Sequence, residues 1–215
     1  MTAGPVSSTV TAGGARGWWL ALAATVALAL LSLASNVTTP AQLSGEADGL
    51  LTARWTVSKL LNAGVAWAGL PVLAGWLVRR PVPGAAAGVG AAVGALVVHY
   101  AVGTLLGVFG PGIWASNLAW FGVAAVTAGP LGLVGALARR RGVIGLLARL
   151  VVPVGALLEP VVTGSLTPPH FPTTGPDRVS DVVSGGALVL AGAVAVAVVV
   201  RRARARTASD DGTAA

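Results

Sequence analysis

Six apolar stretches, each about long enough to cross a bilayer as a helix, run along this chain, and every second one closes on arginines: Arg79-Arg80, Arg139-Arg140-Arg141, and Arg201-Arg202 continuing to Arg204 and Arg206. Basic residues accumulate on short loops at the cytoplasmic face of a membrane. Their recurrence at alternate loops predicts an all-α polytopic integral membrane protein with six transmembrane helices and both termini in the cytoplasm. The Ala, Gly, Val and Arg bias, like that of a GC-rich bacterial coding sequence, makes a bacterial plasma (inner) membrane the expected setting.

The stretches run from Trp18 to Ser35, Leu60 to Val78, Gly84 to Leu106, Trp114 to Ala138, Val143 to Val162 and Val182 to Val200. They divide the chain into a polar leader over 1–16, a membrane domain over 17–200 and a basic, polar tail over 201–215. Pro81 and Pro83 suit a helix start, and Gly107 to Gly112 reads as a turn. The longer loops, 36–59 and 163–181, fall outside and hold Glu46, Asp48, Asp177 and Asp181. Arg16, an apolar run and Ser32-Leu33-Ala34 also spell a secretory signal, whose cleavage would remove the first helix and leave the other orientations unchanged. Trp18, Trp19 and Trp76 fall at the inner boundary and Trp55 and Trp114 near the outer one, as an aromatic belt requires, with Trp67 and Trp120 deeper.

Composition narrows the function classes. Hydrophobic residues make up 55% of the 215 and charged residues 10%, where a soluble domain carries about a quarter charged. The net charge of +7 does not indicate nucleic acid, because 10 of the 14 basic residues sit at the ends of apolar segments. With no cysteine, disulfides, thiolate metal sites and cysteine nucleophiles are excluded. No phosphate-binding glycine loop, metal-spaced histidine pair or Asp-rich diphosphate motif occurs, so no cofactor, metal or enzymatic activity is expected. His170, in Pro168-Pro-His-Phe-Pro172, has no second histidine nearby. Asn36-Val-Thr38 spells a glycosylation sequon that a bacterial origin would make moot.

At an offset of sixty the second helix overlies the fourth without gaps. Ala68 to Arg80 matches Ala128 to Arg140 at 7 of 13 positions, with Pro71 and Pro130 both preceding the arginines. This suggests a parallel repeat of helices 2–3 and 4–5 about an axis along the membrane normal. The same offset sets His99 over Glu159, each 19 residues beyond the second arginine of a cluster, or about 28 Å along a helix. Gly84, Gly88, Ala91, Ala95, His99 and Gly103 share one face of the third helix, and Gly145, Ala148, Gly155 and Glu159 one face of the fifth. Small faces let membrane helices approach closely. His99 and Glu159 are therefore expected to point inward at similar depth, where they could act as a coupled pair that shares a proton, binds a cation or grips a head group. Tyr100, Asn62, Asn117 and Asp181 lie near the same outer side and complete the set of candidate ligand-binding residues; interfacial anchoring and helix capping are the structural alternatives.

Gly84 to Gly107, Gly129 to Gly142 (GPLGLVGALARRRG) and Leu150 to Val161 (LVVPVGALLEPV) resemble a family of small actinobacterial membrane proteins of unknown function. The likeness rests on a Gly-rich third helix ending near Tyr100, on Gly129-Pro130 before an arginine cluster, and on Glu159 late in the next helix. It covers roughly residues 55–165 and implies topology and origin but no activity. Three functions fit the sequence: a small permease-like or ligand-binding membrane subunit with an outward-facing polar site, a non-catalytic structural or partner-binding membrane protein, and a membrane enzyme acting on lipid. The partners expected are the lipid bilayer and either a small-molecule ligand or another membrane protein.

Overall fold

The computed structural model describes residues 12–169 and 171–212; His170 and the first part of the leader fall outside these. The described residues form α1 (Ala12–Asn36), α2 (Pro40–Leu43), α3 (Asp48–Leu61), α4 (Gly64–Val78), α5 (Pro81–Leu105), α6 (Ile113–Ser116), α7 (Leu118–Leu137), α8 (Gly142–Val162) and α9 (Gly175–Gly212), with no strand among them. Among the described residues five helices, α1, α5, α7, α8 and α9, are long and apolar enough to cross a membrane, or six if α3 and α4, bent by 43° at their break, count as one span. The chain is an all-α polytopic membrane protein, as its apolar pattern requires.

Several elements depart from the expected bounds: α1 starts at Ala12, not Trp18, the fourth stretch divides into α6 and α7, and two further departures bear on the site. The region 36–59 is not a plain loop, because α3 fills its second half. The expected second helix is the C-terminal part of a longer path that breaks at Asn62 and Ala63. The last helix starts at Gly175, not Val182. Pro176 suits its first turn, and the Asp177 N–H donates to Thr174 Oγ1 at 3.3 Å.

The bundle is centred on glycine. Gly75 of α4 lies against the Gly132 carbonyl of α7, while Gly135 of α7 lies against the Val72 carbonyl of α4. The sixty-residue offset converts one contact into the other, so parallel helices meet through an exchangeable pair of surfaces. The exchange stops there: α5 packs extensively on α7, whereas α8 only grazes α4. Gly84 and Gly88 of α5 close the crossing, with a Cβ on Gly88 falling 2.9 Å from the Gly132 Cα. The small-residue face of α5 is therefore the centre of the bundle, and Gly84, Gly88, Ala91, Ala95, His99 and Gly103 are all buried.

Contacts sort the helices into two groups. α1, α4, α5 and α7 form a tight core, and α3, α8 and α9 form a flank whose members pack mainly on one another. The two groups meet lightly, through α1 with α3 and through α8 with α4 and α7. The main chain passes directly from flank to core at the α3–α4 break. Arg16, Arg79 and Arg139 gather at one end, here termed the arginine pole; Ser32, Asn62 and His99 meet at the opposite, distal pole.

Candidate functional site at the distal pole

Breaking a membrane helix exposes backbone donors that hydrocarbon cannot satisfy, so each needs a protein partner or water. At the start of α4 every donor is accounted for. Ala66 and Trp67 donate to the Ala63 carbonyl at 3.0 and 3.2 Å. Gly64 and Val65 donate to the two carboxylate oxygens of Glu159, at 2.5 Å to Oε1 and 2.6 Å to Oε2. A side chain from α8 thus caps α4 across the seam between flank and core. The positive end of the α4 dipole faces the negative carboxylate, which strengthens both bonds.

Glu159 also borders a cleft of about 840 Å³ between the α3–α4 break, the end of α8, the loop that follows it and the start of α9. Lys59, Asn62, Arg178 and Asp181 contribute polar groups to its wall, and Val161, Phe171 and Leu188 apolar ones. Lys59 Nζ holds α3 to α9 by ion pairs of 2.7 Å to Asp177 and 2.6 Å to Asp181. Arg178 Nη1 donates to the Ser165 carbonyl at 3.0 Å, and the buried Ser165 hydroxyl has no hydrogen-bond partner among the described residues.

His99 lies elsewhere. Its Nδ1 is 3.3 Å from the Ala29 carbonyl and 3.4 Å from Ser32 Oγ. Trp67, Tyr100 and Phe109 surround its ring at centroid distances of 6.1, 5.2 and 5.4 Å. Phe109 reaches this position because the chain folds back after α5: Gly107 takes φ +70°, the N–H groups of Val108 and Phe109 donate to the Gly103 carbonyl, and a Cβ on Gly103 would strike the Phe109 ring. Tyr100 belongs to an aromatic group with Trp114 and Phe121, at 5.8 and 5.9 Å. This pocket is filled by protein.

The candidates therefore separate. Glu159, Asn62 and Asp181 line the cleft; His99 and Tyr100 stand in the aromatic group; Asn117 caps the short α6 by donating to the Ile113 carbonyl at 2.9 Å. No hydrogen bond or ion pair joins His99 to Glu159 among the described residues, so the coupled pair is not formed. The two are connected indirectly at most, because Ser32 donates to Asn62 Oδ1 at 2.6 Å and Asn62 stands at the break that Glu159 caps. Residues not anticipated from the sequence are Lys59, whose partners α9 supplies, Arg178 and Ser165. The chain matches no protein family model, no curated protein and no solved structure.

Proposed function

We propose that the chain is a multi-pass protein of a bacterial plasma membrane, with its arginine pole in the cytoplasm, that takes up a small molecule in the distal cleft from outside. It would act as a permease-like or ligand-binding membrane subunit. The observation that carries this reading is the α3–α4 break, bent by 43° and capped by Glu159 from another helix, at the wall of an open cleft that mixes polar and apolar groups. Discontinuous helices whose half-helix ends meet ions or substrate groups are a recurring device of membrane transport, and a packing seam beside such a break gives the flank room to move against the core. His99 plays no part in binding on this reading; it packs the core that the flank moves against. The acid–base pair needed for a lipid-acting enzyme draws no support from a histidine and a glutamate that share neither a hydrogen bond nor the cleft.

The proposal requires water-borne molecules to reach the cleft. The chain has no cysteine, so single thiols report cleanly. Leu188→Cys, in the cleft wall, should react with a charged, membrane-impermeant thiol reagent in intact vesicles. Leu190→Cys, two residues on and 67% exposed outside the cleft wall, should not react. A silent Leu188→Cys would leave the structural, partner-binding alternative as the better account.

A further inference from the structure

The arginine pole carries a second site. Gly17 of α1 crosses the end of α4 so closely that a Cβ there would fall 2.5 Å from the Leu77 carbonyl. That approach brings Arg16 beside Arg79, and Arg139 joins them from the end of α7. The three line one cavity of about 250 Å³ floored by Leu20, Trp76 and Leu77. No carboxylate lines it. Among the described residues none of the three arginines forms an ion pair, since both ion pairs belong to Lys59.

Of the three guanidinium groups, that of Arg139 is held by a neighbour. The Arg139 guanidinium stacks on the Trp76 ring, 4.7 Å from its centroid, with Nη1 3.5 Å from the Trp76 carbonyl. Arg79 adopts a left-handed backbone, φ 72°, the only non-glycine residue to do so among those described. That conformation ends α4 through the Arg79 N–H to the Gly75 carbonyl at 3.0 Å. A helix end normally puts glycine at such a position, so an arginine there costs backbone strain. Attraction to the α4 C-terminus explains one cation, because the dipole offers about half a charge. The α7 C-terminus accounts for Arg139 in the same way, which leaves Arg16, at the start of α1, without such a partner.

We infer that the Arg16–Arg79–Arg139 cavity binds the phosphate of an anionic phospholipid head group. Planar guanidinium forks match phosphate oxygens, and basic pockets between membrane helices at the interface suit such head groups. The apolar floor favours a lipid over a free phosphate, since it would lie against glycerol and the first acyl carbons. Trp18 and Trp19, 46% and 68% exposed and within one turn of Arg16 on α1, mark this level as interfacial.

The test uses the full chain in vesicles of phosphatidylcholine, with or without a minority of phosphatidylglycerol, followed by native mass spectrometry of the extracted protein. Wild type should retain phosphatidylglycerol in preference to phosphatidylcholine. The double variant Arg16→Gln/Arg79→Asn should lose that preference roughly tenfold or more; asparagine tolerates the left-handed backbone, so the guanidinium is removed without added backbone strain. Arg201→Gln/Arg202→Gln, which removes as many charges on α9 away from the cavity, should retain it. Arg16→Gln alone carries the same test should the double variant fail to fold. Equal losses in both double variants, or none in the first, would overturn the site. Displacement of the lipid by inorganic phosphate at constant ionic strength would overturn the lipid as its ligand.

Discussion

Glu159→Ala should destabilise the protein more than any other single truncation in α8. The carboxylate receives two backbone N–H bonds, at 2.5 and 2.6 Å. Hydrogen bonds to a charged group contribute about 1.5–3 kcal/mol each, which sets an upper bound of about 6 kcal/mol for the pair. Gly64 is exposed and its amide can turn to water after truncation, whereas Val65 is half-buried. The net loss should then be about 2–4 kcal/mol, or about 5–15 °C in Tm for a chain of this length. Glu159→Gln should fall between, because its carbonyl accepts one N–H while its amide nitrogen confronts the other. Thermal unfolding in detergent, followed by intrinsic tryptophan fluorescence, reads the effect. Two controls fix its origin. Gly64→Ala preserves the cap, since a Cβ there meets Oε1 at an ordinary 3.6 Å, and Val161→Ala removes a side chain 73% exposed on the same helix; both should stay within about 2 °C. A Glu159→Ala protein as stable as these controls would refute the capping argument.

Two further outcomes follow from the packing and the charge pattern. Gly88→Leu should abolish a monodisperse folded protein in size-exclusion chromatography, since its Cβ meets α7 backbone that cannot yield; Gly90→Leu on the same helix, with nothing within 4 Å, should elute as wild type. Thr173→Cys, in the exposed loop before α9, should be labelled by an impermeant thiol reagent in intact cells, and Val143→Cys, 70% exposed beside the arginine cluster, only after permeabilisation; the reverse pattern would invert the proposed orientation.

Helix number and the central role of α5 were legible because both rest on one-dimensional signals: apolar runs, and small residues repeating at three and four. The α3 helix was not. Its segment Asp48 to Leu61 is too polar for a search for membrane runs, although Asp48 in its first turn and Lys59 in its last are ordinary helix-end charges. The start of α9 carried a similar signal in Thr174, Pro176 and Asp177. For Glu159, helix arithmetic gave the depth and not the direction: α5 turns His99 towards α1, while α8 turns Glu159 towards the break in α4. That break leaves no strong mark on the sequence. Asn62-Ala63-Gly64 is a modest interruption, and the need for a carboxylate appears only once unsatisfied amides are placed beside a neighbouring helix. Lys59 and its acids lie more than a hundred residues apart, beyond any local pattern.

The Glu159 cap ties the flank to the core at the α3–α4 break. Spin labels at Val57→Cys on α3 and Val123→Cys on α7, where both side chains are about half exposed (51% and 49%), span that junction, and double electron–electron resonance in lipid nanodiscs measures their separation. One narrow distance distribution is expected with Glu159 present, and a broadened or two-peaked one with Glu159→Ala, as α3 and α9 move against the core. An unchanged narrow distribution in the variant would contradict that role of the cap.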